Sequence, residues 1–492
     1  MAKITTIIDI GSNSMRMVVF KKTSRYGFHL INESKLKVKI SEGCYENGGN
    51  LQPLPMQRAF GALKSFLNIA QNLKSRKILC VATSALRDAP NKKEFLNKVS
   101  RELKLNIKII DGNKEAYYGG VAALNLLAAN NFSTIDIGGG STEFAMVQNN
   151  EIIDTVSLNI GTVRIQELFF NKNDLDGAKK YIYDQIESFK DIFDKNFHLF
   201  ENMVGLGGTA RALSRCVILQ KKHPIDVLHG FEYDTTLGHE LFDKIISTQN
   251  PKKLKSLGVR KDRFDTIATG TFIFKTILEY FQTKKIITSG VGVREGVYLS
   301  DLLRNNQHKF PQNFNPSVRS LLDRYVDDHT QSAYLGANAK AIFNTLMPLH
   351  NLDEKYRSIL VVASKLQLIG QSLNFYSTQD NSFWYILNGL NYGYTHEDKI
   401  LISIVAKYTG RSLPKDEDIA QFKKMLPDTR TINWLNFMMT LNIYLNTEYS
   451  KIKYNYQLDS HTLKISSQSE NYLIKNDIFK IEAPDGVIVE LD

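Results

Sequence analysis

Asp136 and Glu143 flank the run Gly138-Gly139-Gly140-Ser141-Thr142, with apolar residues before the first carboxylate and an alternating stretch from the second. Glycine lacks a Cβ, so successive backbone N–H groups can crowd around an anion, and the two hydroxyls add donors. Two carboxylates facing such a cradle would repel a phosphate unless a cation lay between them. Mg²⁺ suits that place, because it favours carboxylates together with phosphate oxygens. A tight hairpin turn whose glycines serve geometry alone fits this stretch equally well.

A second copy favours the phosphate reading. Residues 6–20 repeat the plan 127 residues earlier, with Asp9 aligned to Asp136, Gly11 to Gly138, Ser14 to Ser141, and Arg16 to Glu143. Two strand–Asp–glycine turn–strand units at this separation predict two similar α/β domains, each offering a phosphate loop to a shared cleft. That is the plan of the actin-like, sugar-kinase-like superfamily.

Other elements can bring chemistry to that cleft. The apolar strand 77–82 runs into Thr83-Ser84 and Arg87. Groups beyond the carboxyl ends of strands face the ligand crevice of open α/β sheets, so Arg87 is placed either to fork a phosphate or to lie on the surface at a helix start. The strand 107–110 leads to Asp111-Gly112-Asn113-Lys114-Glu115 and an alanine-rich helix through Ala129. Glu115 falls in the first helical turn, where a carboxylate is favourable in any case; facing the cleft, it could hold a water as general base. Gly207-Gly208-Thr209 opens another helix, with free N–H groups for an anion. Lys35, Lys37 and Lys39 alternate with Leu36, Val38 and Ile40, which predicts a half-buried strand whose basic face is either solvated or a lining for a polyanion.

The chain has 492 residues, 43% of them hydrophobic and 23% charged, enough for about three domains with buried cores. Its net charge is +11, which favours polyanionic partners. No zinc cluster, helix-turn-helix or RNP-like motif marks a specific nucleic-acid binder. No signal peptide and no apolar run of ~18 residues is visible, so a cytoplasmic protein without a membrane span is expected. Cys44, Cys80 and Cys216 are scattered and read as reduced thiols.

Taken together and in order, six motifs resemble the exopolyphosphatase/guanosine pentaphosphate phosphohydrolase (Ppx/GppA) family over residues 4 to 304. They are Asp-Ile-Gly-Ser-Asn-Ser at 9–14, Ala-Thr-Ser-Ala-Leu-Arg at 82–87, Asp-Gly-Asn-Lys-Glu-Ala at 111–116, Asp-Ile-Gly-Gly-Gly-Ser-Thr-Glu at 136–143, Gly-Leu-Gly-Gly-Thr at 205–209, and Ser-Gly-Val-Gly-Val-Arg-Glu-Gly at 289–296. The resemblance implies two actin-like (ribonuclease H-like) α/β domains, 1–122 and 123–304. It implies hydrolysis of the terminal phosphoanhydride of polyphosphate, pppGpp or both, with ppGpp as a related ligand. It makes Glu115 the base that activates water, and Asp136 and Glu143 the Mg²⁺-linked carboxylates. Asn13, Ser14, Arg87, Gly138, Gly139, Gly140, Ser141, Gly207 and Gly208 form the phosphate cradle. A homodimer is also implied.

Beyond a polar, proline-marked stretch at 305–317, read as a linker, helical periods dominate to about Asn446 and the tail turns β-like. The 305–492 region resembles a degenerate HD-like helical domain with a small terminal β-sheet. His329 stands at the first ligand position, but Gln367-Leu368 and Asn381 replace the other expected ligands, so no second metal centre is expected. Two rival readings remain: a (p)ppGpp-binding sensor with weak turnover, and an ATP-dependent kinase on the same fold.

Overall fold

The computed structural model describes residues 3–248, 250–410, 413–468 and 472–491. The chain parts into two compact units between Phe314 and Asn315.

The first unit holds two mixed sheets. Strands β1 (Ile4–Ile10), β2 (Met15–Lys22), β3 (Phe28–Leu36), β4 (Lys77–Ala82) and β5 (Ile107–Ile109) form one, in the order β3-β2-β1-β4-β5. Strands β6 (Phe132–Ile137), β7 (Thr142–Gln148), β8 (Glu151–Leu158), β9 (Asn202–Gly205), β10 (Glu232–Asp234) and β11 (Lys285–Thr288) form the other, in the order β8-β7-β6-β9-β11-β10. Each sheet opens with an antiparallel hairpin whose first strand then pairs in parallel with a later one. The second sheet thus repeats the first and adds β10 at its edge. The register repeats as well: Asp9 lies opposite Arg16 on β1–β2, as Asp136 lies opposite Glu143 on β6–β7.

The central strands are buried because both faces are covered by helices, as parallel pairings require. Ile8, Ile10, Met17, Val19, Leu63 and Phe66 belong to the first core, and Ile135, Phe144, Phe200, Leu213, Phe274 and Ile286 to the second. Two crossing helices join the sheets. The Gly112–Leu126 helix follows β5 yet packs on β7 and β8, and the Val293–Leu302 helix packs on it and on β1. Their backbones meet where Gly296 abuts Tyr118, a contact that leaves no room for a Cβ.

The basic run 33–40 departs from the expected strand. β3 ends at Leu36, and Lys39 has φ 50°. Lys35 pairs with Asp262 at 2.9 Å and Lys37 with Asp265 at 2.6 Å. The period-two pattern is real, but the lysines answer carboxylates of the second lobe that no local pattern shows. The polar stretch read as a linker is anchored in part. Tyr117 hydrogen-bonds His308 Nδ1 at 2.7 Å, Asn125 donates to the His308 carbonyl at 2.8 Å, and Phe310 packs on Tyr26.

The second unit is mainly helical. Its longer helices have defined starts: Asn315 accepts from Ser317 N and Val318 N ahead of Pro316, and Asp328, Asp353 and Asp428 cap three more. Trp434, Phe343 and Leu360 lie in its interior. His329 is the first residue of the His329–His350 helix, and Asn381 donates to the Gly370 carbonyl at 3.3 Å. The tail forms strands β12 (Asn455–Asp459), β13 (Thr462–Ser466) and β14 (Ile488–Leu491); the last pairs in parallel with β13. Among the described residues, no helix is long and apolar enough to cross a membrane.

Candidate active site

The two glycine turns face one another. A Cβ on Gly139 would lie 2.5 Å from Ser12 Cβ, so the turns after β1 and β6 pack in contact. Each turn closes in the same way, with Gly11 approaching the Ser14 carbonyl and Gly138 that of Ser141. A cavity of about 140 Å³ opens between them. Of the residues predicted from sequence, Asn13, Ser14, Glu115, Asp136, Gly138, Gly139, Ser141, Glu143, Gly207 and Gly208 all line it.

Two predicted cradle residues do not. Gly140 sits beneath Tyr45 and Ser84, and its carbonyl accepts from Arg164 Nε at 2.9 Å. Arg87 lies behind Glu115 and donates from Nη1 to Glu115 Oε2 at 3.3 Å. The nearest physical cause is local: Arg87 also bonds Asp88, its chain neighbour, at 3.2 Å, and reaches toward the Ile110 carbonyl.

Five further charged groups, to which the sequence reading assigned no role, reach the same space. Asp9, Arg16, Arg211, Arg263 and Arg294 also line the cavity. Arg211 is held by the carbonyls of Ser289 and Val291 at 2.8 and 3.1 Å, and Arg294 by Glu33 at 2.8 Å. Arg16 had a legible signal, since it occupies the place in the first repeat that Glu143 holds in the second. Arg263 had none; it comes close because Gly208 offers no Cβ to block it. The basic lining continues: a groove of about 210 Å³ shares Arg16, Arg211 and Arg263 with the cavity and adds Lys35, Arg215 and Arg260.

Backbone demands explain two of the glycines. Gly207 has φ 71°, in the left-handed region that favours glycine, and a Cβ there would strike the Asp136 carboxylate. Gly139 must lie flat against Ser12.

Four carboxylates share this small space, and their protonation reflects it. Burial pushes Asp9 up to about 6, with Arg294 and Arg16 opposing. Burial also raises Asp136, against Arg211, Arg16 and Arg294. Glu143 is pushed up to about 8 by burial, although hydroxyls of Ser141 and Ser157 favour its charge, the latter donating at 2.9 Å. Glu115, its side chain only 12% exposed, is raised well above the usual carboxylate range by burial and then by Glu143, with Arg87 opposing. Each carboxylate has an arginine opposing its shift, and burial, with the neighbouring carboxylates at all but Asp136, outweighs it. Such a donor set suits a divalent cation. Among the described residues no three His, Cys, Asp or Glu side chains converge as a cage, so a cation bound here would complete its shell with water and ligand oxygens, the habit of Mg²⁺.

The cysteines take no part. All three are buried, and burial pushes the thiols up, Cys44 to about 11 and Cys216 to about 12.

The model of the Ppx/GppA phosphatase family matches residues 18–305, more than half of the chain. The chain belongs to the Ppx/GppA phosphatase family. Among its relatives, a bifunctional 3-dehydroquinate synthase/phosphatase of Fusobacterium nucleatum is 32% identical over 300 residues, which are 57% of this chain and 44% of that protein. The chain thus spans under half the length of that relative. A guanosine-5'-triphosphate,3'-diphosphate pyrophosphatase of Aeromonas hydrophila is 28% identical over 404 residues, 80% of this chain and 78% of the relative. The crystal structure of the Aquifex aeolicus Ppx/GppA family member superposes with a TM-score of 0.51 at 27% identity, over 62% of this chain and 99% of that one.

Proposed function

We propose that the cleft hydrolyses the terminal phosphoanhydride of inorganic polyphosphate, of guanosine pentaphosphate, or of both, by direct attack of water. The position of Glu115 carries this reading: one half-buried carboxylate, bonded to Arg87, lines the same cavity as both glycine turns. The name of the Aeromonas hydrophila relative supports guanosine pentaphosphate as a substrate.

Glu115 holds a water and takes its proton as the water oxygen attacks the terminal phosphorus. A carboxyl raised above its ordinary range is a stronger proton acceptor, as that task asks. Arg87 fixes the carboxylate from behind. The N–H groups of both turns, with Ser14 and Ser141, surround the terminal phosphoryl group. Arg211 and Arg294 offset negative charge on the phosphates, and the groove through Arg263 and Arg260 takes the remainder of the chain or the nucleotide. Phosphoryl transfer asks mainly for positioning and charge stabilisation, which these groups supply. Asp136 and Glu143 are the residues that would hold Mg²⁺, and the ion when bound neutralises charge on phosphoryl oxygens.

Phosphate release from long-chain polyphosphate and from guanosine pentaphosphate, with ATP as control, tests the reading. Release from at least one of the first two without an acceptor is expected; turnover that needs an acceptor and yields ADP from ATP would replace hydrolysis with a kinase reaction. A degenerate HD-like fold for the helical unit, a homodimer and a cytoplasmic location belong to the same reading. Light scattering tests the dimer.

A further inference from the structure

The strands that end at the cleft begin or finish, at their other end, in a second basin. β1 runs from Ile4 there to Asp9 in the cleft, β4 from Lys77 there toward Thr83 in the cleft, and β2 from Arg16 in the cleft back to Lys22. At about 3.3 Å per residue the two places are roughly 20 Å apart. The Val293–Leu302 helix runs in the same direction, with Arg294 at the cleft and Asp301 toward the basin.

The basin has a volume of about 500 Å³, within the range of small-ligand sites. Lys3, Lys22, Arg25, Arg76, Lys77 and Arg304 line it, drawn from four separate segments, and Asp301 is the one carboxylate among its lining residues. That carboxylate is shared, since Lys77 bonds it and Arg304 approaches it at 3.6 Å. Tyr298 lies on its wall and is locked by stacking on Phe20 at 4.3 Å. The cations also disfavour one another: the Lys22 ammonium is pushed down by burial and then by Lys3, Arg304 and Arg25. Lys22 ends β2 and Lys77 opens β4, the other four cations stand on the segments beside them, and a concave cluster of one sign focuses its field on a multiply charged anion. A single phosphate would meet only a few of them.

We propose that this basin is a second anion site, separate from the cleft, that takes a compact anion bearing three or more phosphoryl groups. The proposal rests on the charge and placement of these residues and not on the reaction assigned to the cleft. Phosphoryl groups of this kind occur in short inorganic oligophosphates and in phosphorylated nucleotides, and the test separates the two.

Calorimetric titration of the full chain with tripolyphosphate, and separately with guanosine 5'-diphosphate 3'-diphosphate, without divalent cations, reads the number of sites. Two binding events are expected for at least one probe, and whichever probe gives the tighter second event identifies the source. Lys22→Ala combined with Arg304→Ala should weaken one event tenfold or more and leave the other. One event in both proteins, or two events that the variant leaves unchanged, would overturn the proposal. Amine labelling of the unaltered chain gives a second reading that needs no variant. Whichever probe gives the second event should slow labelling of Lys22 and Lys77 at least fivefold and leave Lys64, on the exposed side of the Pro53–Asn72 helix, unaffected. Equal labelling with and without the probe would also overturn it.

Discussion

Arg87 Nη1 donates to Glu115 Oε2 at 3.3 Å, so the residue that follows the β4 turn steadies the first turn of the Gly112–Leu126 helix. The arginine opposes the burial and the Glu143 charge that raise the Glu115 carboxyl. Removing a cation that favours the charged carboxylate lifts its pKa further. Arg87→Ala should therefore move the acidic limb of the kcat/KM profile to higher pH and lower the plateau about 10-fold or more, as loss of a positioned base partner does. A pH–rate profile with an unmoved acidic limb would separate Arg87 from Glu115.

The contact between Gly139 and Ser12 predicts a compensation. Gly139→Ala places a methyl 2.5 Å from Ser12 Cβ and 3.4 Å from a Val163 methyl, which pushes the two turns apart. A displacement of this kind at reacting groups costs about 10²-fold in rate. Ser12→Gly removes the opposing Cβ, so the double variant should recover part of that loss. Equal losses in single and double variants would show that the turns do not brace one another.

Asp9 makes a stability prediction. Its carboxyl stands near 6 in the folded chain against 3.8 in an unfolded one, chiefly through burial. Folding therefore disfavours its charged form, and the cost is full above about pH 6 and absent below about pH 4. Asp9→Asn should stabilise the chain without bound ligand at pH 7–8, by at most about 3 kcal/mol, and the gain should vanish as pH falls to 4. Thermal unfolding across that range checks it; a gain that grows toward low pH would have the wrong sign.

The fold was legible where local chemistry repeats. The paired Asp–glycine turns announced both sheets, and the sheet registers set Asp9 opposite Arg16 and Asp136 opposite Glu143, keeping the alignment read from sequence. Glu115 and the turns reached one cavity for the same reason: groups beyond strand ends converge in this topology. What sequence could not show depended on distant partners. The lysines at 35, 37 and 39 read as a strand face, yet each pairs with a carboxylate more than 220 residues away. Arg263 carries no motif and enters the site only because Gly208 is small. Arg87 has the position in the chain read from sequence, and its bond to Glu115 is a long-range contact that no local pattern shows.

Those lysine pairs are themselves testable. Each partner is roughly a third or more exposed, so each pair contributes about 0–1 kcal/mol. Asp262→Asn with Asp265→Asn should lower stability only slightly. It also frees positive charge beside the groove, so KM for a polyanionic substrate should fall a few-fold at about 0.05 M salt and match the unaltered chain near 1 M, where screening reaches ~3 Å. An increase in KM at low salt would contradict the assignment of that groove.

Glu115→Gln tests the central claim most directly. The amide keeps the size of the side chain and cannot take a proton, so phosphate release from polyphosphate or guanosine pentaphosphate should fall about 10²–10⁴-fold while substrate still binds. An unchanged rate would contradict the account.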